Sequence, residues 1–261
     1  MDYDPIAGEY DRRYLDNEYP GVERTLVDCV GDAPGLHALE VGCGTGHWLG
    51  LLAERGITAT GLDASTRMLT HARINAPSAN LVHGLAERLP FAEDTFDRVF
   101  CINAFHHFSD RAGFLGEAGR VLRHGGSMLI VGLDPHTGLD RWFLYEYFEG
   151  TLAIDKSRFP SSREIRHALR ATGFQDCRTF EAEHLEGLVP AEQALAAGRL
   201  SKTTTSQLGV LTDTEYGRGL TRVHEEAARA RARGETLVLT SDLRLFATVA
   251  SKGEKYRRRR R

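Results

Sequence analysis

The stretch 37–55 constrains this chain more than any other. There the apolar run HALEV stops at Gly42, Gly44 and Gly46, and a segment with Trp48, Leu51 and Leu52 on one helical face follows. Glycines at every second position let a buried strand turn sharply into a helix and leave the first helical N–H groups facing outward. The next elements repeat the plan. Residues 57–62 (ITATGL) form a second strand, Ser65 is placed to cap a helix running to Arg73, and 79–83 (ANLVH) form a third strand. Crossovers of this length imply parallel strands with right-handed connections. A fourth strand at 97–102 and a fifth at 127–133 bracket a helix over 112–123 that stops at Gly125 and Gly126.

Beyond residue 133 the alternation weakens. Residues 139–149 (LDRWFLYEYFE) are helical and aromatic, and a helix over 190–197 starts at Pro190 and ends before Gly198. Ser161 with Glu164, and Thr212 with Glu215, have capping-box spacing. The first opens a helix ending at Gly173, ahead of a strand near 177–183; the second opens a long polar helix towards Gly234. The last strand, 243–250, alternates apolar and polar residues as an edge strand does.

The chain has 261 residues, 41% apolar and 26% charged, enough for one large domain with a real core. No apolar run approaches the roughly 18 residues of a membrane span, and the acidic, tyrosine-containing N-terminus is unlike a signal peptide, so the expected location is the cytoplasm. Four scattered cysteines suggest neither a disulfide framework nor a metal knuckle. The formal net charge of −3 divides into −9 in the body and +6 in residues 252–261, which end in five arginines. So acidic a body disfavours nucleic acid as a partner, except through that tail.

The glycine spacing is G-x-G-x-G; the dinucleotide fingerprint G-x-G-x-x-G would need glycine where His47 stands. Asp63 ends the second strand, 17 residues after Gly46, where a carboxylate can hold a ribose diol, and Glu40 ends the first. Two acids and no base at this turn suit a nucleoside bearing a cationic group. His106 and His107 follow the fourth strand, where a general base could sit. Trp142, Phe143, Tyr145, Tyr147 and Phe148 could wall an apolar pocket or simply pack a helix.

Five blocks in register, YDPIAGEYD, ALEVGCGTGHWLGLLAERG, GLDASTRML, GLAERLPFAEDTFDRVFCINAFHHF and GRVLRHGGSMLIVG, resemble the class I S-adenosylmethionine-dependent methyltransferases of the ubiquinone/menaquinone-biosynthesis type. The resemblance covers about residues 1–135. It implies a Rossmann-like α/β sheet of order 3-2-1-4-5-7-6 with strand 7 antiparallel and a helical lid insertion, with S-adenosylmethionine as cofactor and no metal. Carried onto this sequence, Glu40, Gly42, Gly44 and Gly46 would line the methionine part of the cofactor, and Asp63 would hold the ribose. Met68 and Ala86 would lie at the adenine, while Asn103 and Tyr10 would contact or cover the methionine end. Leu85 stands where the family commonly has an aspartate for the adenine amino group.

The resulting organisation is an N-terminal helical lid segment (1–30), a cofactor-binding core (31–135), a mostly helical insertion with strand 6 (136–210), a long helix and terminal strand completing the core (211–251), and a basic tail (252–261). The function implied is methyl transfer to a small-molecule O-, N- or C-nucleophile, with His106 or His107 as base and Trp142, Tyr145 and Phe148 at the acceptor. The alternatives are a tRNA or protein methyltransferase, or a protein that binds the cofactor without methylating. Sequence leaves the acceptor and the oligomeric state open.

Overall fold

The computed structural model describes residue 14 and residues 18–31, 35–57 and 59–253. Tyr10 and most of the expected N-terminal lid lie outside the described residues, as does the arginine tail from residue 254.

Four strands pair in parallel: β1 (Ala38–Val41) lies between β2 (Ala59–Asp63) and β4 (Phe96–Ile102), and β3 (Asn80–His83) flanks β2. β5 (Leu122–Leu133) continues the parallel set beside β4. The last strand, β8 (Val238–Lys252), is antiparallel to β5 and to β7 (Phe174–Pro190), and a two-residue β6 (Arg141–Trp142) pairs with β8 beyond the end of β5. The bonded order is β3-β2-β1-β4-β5-β8-β6, with β7 also on β8. Setting aside the short β6, this is the 3-2-1-4-5-7-6 order anticipated from the resemblance.

One face of the sheet packs against α1 (Pro20–Val30), α2 (His47–Glu54) and α3 (Thr66–Asn75), burying Val22, Leu26, Trp48 and Leu69 over Phe100, Leu129 and Ala247. The other packs against α4 (Arg111–Val121) and α7 (Ser162–Ala171), with Phe114, Leu115 and Leu169 over Val99, Met128 and Ile130. A third apolar cluster joins the insertion to the long helix expected to complete the core. It joins α5 (Phe143–Tyr147), α8 (Ala191–Ala196), α9 (Ser206–Gly209) and α10 (Asp213–Ala232), with α6 (Thr151–Arg158) alongside. Both capping boxes form, at Ser161–Glu164 and Thr212–Glu215.

Three sequence expectations are corrected. β8 is interior rather than an edge: its polar Thr248 is 1% exposed and meets the Thr179 hydroxyl at 2.8 Å, so alternation there reflects a satisfied buried hydroxyl instead of a wet face. α4 ends at Val121, and Gly125 and Gly126 lie inside β5. A Cβ on Gly126 would stand 2.8 Å from the Arg123 carbonyl oxygen, so Gly126 serves a close backbone approach, while Gly125 takes a left-handed φ of 78°; neither stops the helix. β7 is 17 residues long, well beyond 177–183, because nearly its whole length pairs with β8. Among the described residues, no helix is long and apolar enough to cross a membrane.

Candidate functional site

The turn between β1 and α2 is held open by geometry only glycine meets easily. Gly42, Gly44 and Gly46 have φ of 77°, 52° and 81°. A Cβ on Gly42 would lie 2.5 Å from the Cβ of Ala104, and one on Gly46 3.0 Å from the backbone of Ala72. The turn is tied to the end of β2: the N–H groups of Gly42 and Cys43 donate to the Leu62 carbonyl at 2.7 and 3.1 Å, and that of Gly44 donates to Asp63 Oδ2 at 2.8 Å. Asp63 Oδ1 accepts from the Ser65 N–H at 2.8 Å, and Ser65 Oγ in turn caps α3 by accepting from the Met68 N–H. One carboxylate therefore closes the glycine turn and orders the start of α3. A carboxylate offers about four lone-pair sites, so Asp63 keeps acceptor capacity for a ligand.

Glu40 lies inside β1 with 1% of its surface exposed, and its Oε2 has no hydrogen-bond partner among the described residues. Burial, reinforced by the nearby Asp63, pushes its carboxyl well above the usual range. Burial also raises Asp63, against the pull of the N–H groups of Ser65 and Gly44. An unpartnered buried carboxyl is costly, and a cationic ligand group reaching it would remove most of that cost. This orphaned oxygen, the left-handed glycines and the spare acceptors of Asp63 fit S-adenosylmethionine, which carries an ammonium and a ribose diol.

On the expected adenine side, Met68 and Ala86 are buried, whereas Leu85 is 60% exposed beside the loop to Arg88. Glu87 ties this loop to the far side of the cleft, its Oε1 accepting from the N–H and hydroxyl of Ser109 at 2.8 Å. Asn103, just past β4, has φ of 52°, and its N–H donates to the Val131 carbonyl at 2.8 Å. A left-handed residue other than glycine at a strand end is backbone strain of the kind that gathers at functional sites.

A short 3₁₀ turn, Phe105–His107, then carries both candidate histidines. The His106 ring stacks on Phe159, centroids 3.8 Å apart, and the His107 ring lies 3.7 Å from that of His106. Arg111 Nη2 donates to the carbonyls of both His106 and Arg158, joining this turn to the end of α6. His106 also lines a recess walled by Phe105, Gly132, Phe159, Ile165 and Phe246.

None of the aromatic residues expected to wall a pocket lines the recess at His106. Phe148 is fully buried, stacked near Tyr216 and pressed on Gly219, where a Cβ would come within 2.2 Å of its ring, so it is core of the insertion and not a pocket wall. Trp142 packs edge-on to Tyr145, whose hydroxyl donates to buried Asp155 at 2.9 Å. Neither lines the recess at His106. Glu40, the three glycines and Asp63 do come together, with Asn103 close by through Ala104.

Sequence reading missed Phe159, Phe246 and Arg111. Phe159 sits in a turn 53 residues from His106, and nothing local marks it. Gly132 did carry a signal, being a glycine inside an otherwise apolar strand run. Tyr14 adds a contact from the N-terminal side: its ring stacks on His47 at 3.6 Å, at the start of α2.

Residues 39–130 match the methyltransferase domain family model. An uncharacterized methyltransferase of Synechocystis sp. is 41% identical over 144 residues, covering 54% of this chain and 68% of that protein. A demethylmenaquinone methyltransferase of Beutenbergia cavernae is 33% identical over 174 residues, covering 62% and 72%. Among solved structures, phosphoethanolamine N-methyltransferase 2 of Haemonchus contortus in complex with S-adenosyl-L-methionine superposes with a TM-score of 0.60 at 18% identity, covering 96% of this chain and 57% of that one. Fold and relatives together define a class I methyltransferase. The chain belongs to the S-adenosylmethionine-dependent methyltransferases, with that molecule as its cofactor.

Proposed function

We propose that this protein transfers a methyl group from S-adenosylmethionine to a small-molecule acceptor, the cofactor lying across the glycine turn. The observation that carries this reading is the buried Glu40 carboxyl with its unpartnered oxygen beside Gly42, next to an Asp63 that keeps spare acceptors. When bound, the cofactor supplies an electrophilic methyl on a sulfonium. Glu40 would take its ammonium, Asp63 its ribose hydroxyls, and Met68 and Ala86 would flank the adenine beside Leu85. Asn103, held in its strained conformation by Val131, would border the methionine end, with Tyr10 as a cover.

Displacement at a sulfonium is chiefly a matter of alignment, and a base contributes where the nucleophile must lose a proton. His106 is the better placed candidate base, since it lines the recess past β4, and His107 is its neighbour. A small-molecule acceptor is supported by the apolar lining of that recess and by the relative named demethylmenaquinone methyltransferase.

Incubation with methyl-labelled S-adenosylmethionine and a panel of phenols, quinols and amines tests the reading. Label is expected to leave the cofactor for an organic product. Retention of all label despite measurable cofactor binding would favour a protein that binds without methylating, and label moving only to tRNA or protein would reject the small-molecule acceptor. If His106 is the base, His106→Ala should lower turnover by about 10²–10⁴ with cofactor affinity unchanged.

A further inference from the structure

Gly132 is a glycine without a backbone reason. It sits inside β5, paired with Phe246 of β8, and its φ is not in the left-handed region. No atom lies within 4 Å of the place a Cβ would occupy. The contrast with other sheet-proximal glycines is direct: at Gly42 the Cβ would meet Ala104 at 2.5 Å, and at Gly61 it would meet Leu49 at 2.4 Å. Glycine inside a strand loses about 0.5–1 kcal/mol against alanine, and a glycine kept there with open space above it, in the floor of a recess, is a position where a ligand can approach the backbone closely.

The clear space belongs to the recess. Ile130, Ile165, Phe159 and Phe246 give it apolar walls, and His106 stands at one end. That end is joined to the glycine turn, because Ala104, two residues earlier, is what a Cβ on Gly42 would strike. As it stands the recess has about 20 Å³ of free volume, room for a water molecule and not for an organic ring. Its roof is the turn from Arg158 to Ser162, held by three bonds: Arg111 to the Arg158 carbonyl, His136 Nε2 with the Phe159 carbonyl at 2.9 Å, and the Ser162 N–H to Asp134 Oδ2 at 2.7 Å. Admission of a ring displaces that roof, while Gly132 leaves the floor free.

We infer that the recess over Gly132 is the acceptor subsite, that Gly132 sets its size limit, and that it takes a compact apolar ring compound presenting one hydroxyl or similar nucleophile to the His106 end. This rests on the methyl-transfer reading above and deepens it. The apolar body follows from the four walls; of the polar residues in the lining, Thr248 is bonded to the Thr179 hydroxyl and the Ser162 N–H to Asp134, and His106 is the one that leads back to the end of β4. A larger side chain at 132 would fill the floor without touching Glu40, Asp63 or the glycine turn, so acceptor and cofactor binding should separate.

The test uses the whole protein saturated with S-adenosylhomocysteine and titrated with 2-naphthol as a defined probe, comparing wild type, Gly132→Ala and Gly132→Leu by calorimetry. Expected are a dissociation constant at or below about 1 mM for wild type, a loss of about tenfold or more for Gly132→Leu, a smaller loss for Gly132→Ala, and S-adenosylhomocysteine affinity unchanged in all three. Should Gly132→Leu unfold early, the alanine variant carries the comparison. Absence of 2-naphthol binding to wild type, or undiminished binding to both variants, overturns the inference. Failure of S-adenosylhomocysteine to bind wild type would instead break the cofactor reading, with the 2-naphthol series still reporting on the recess.

Discussion

At the glycine turn, the backbone N–H groups and two carboxylates all come from residues 40–65, and the turn is tied to the end of β2 through Leu62 and Asp63. At the recess, the walls come from β4's end, β5, the α6–α7 turn and β8, and what holds them is side-chain bonding between distant segments. The first end is rigid because glycines have no steric alternative there. The second is a stapled roof over an open floor. A rigid cofactor end and an adjustable acceptor end are what a fold needs if one cofactor is to serve many acceptors.

The largest expected effect breaks the rigid end. Gly42→Val must hold φ near 77° with its Cβ 2.5 Å from Ala104. Strain and overpacking together should remove about 2–5 kcal/mol of unfolding free energy in urea titration. Gly132→Ala, with neither constraint, should stay within about 1 kcal/mol of wild type or gain stability. Equal losses at the two glycines would erase the contrast.

Next in size is Asp63→Ala, which removes both the Gly44 tether and the proposed ribose acceptor. Its affinity for S-adenosylhomocysteine should fall by about 1.5–3 kcal/mol in calorimetry. An unchanged affinity in the folded variant would confine Asp63 to a structural part. The smallest effect concerns the exposed Leu85. Leu85→Asp should tighten S-adenosylhomocysteine binding by about 0.5–1.5 kcal/mol through one added hydrogen bond to the adenine amino group. A tenfold weakening would mean the adenine is held otherwise.

What sequence revealed follows the same division. The β1–turn–α2 unit, Asp63 at the end of β2, the Ser65 cap and both capping boxes were legible because each is set by a few consecutive residues. The antiparallel last strand came from the family resemblance, while alternation alone misread β8 as an edge. Phe148 was misread as a pocket wall because an aromatic run looks alike whether it faces a ligand or Gly219 and Tyr216. Phe159 and Arg111 stayed hidden because the contacts that place them at the recess, the Phe159 ring on His106 and Arg111 on the Arg158 carbonyl, join segments 47 or more residues apart.

The central claim is that Glu40 receives the cationic end of the cofactor. Its raised folded-state pKa gives a definite sign. The stability this group contributes is fully present below its unfolded value, near 4.3, and is lost as pH rises through the folded value, so unliganded wild type should lose stability with pH relative to Glu40→Gln. An ammonium at Glu40 favours the carboxylate, so binding must release a proton while the carboxyl is still protonated. The direct measurement is calorimetric titration with S-adenosylhomocysteine at a series of pH values from the ordinary carboxylate range upward, each in two buffers of different ionisation enthalpy. Over the part of that series where the Glu40 carboxyl is protonated before binding, wild type should release more protons on binding than Glu40→Gln. The same proton count in both proteins, at similar affinity, would contradict the account.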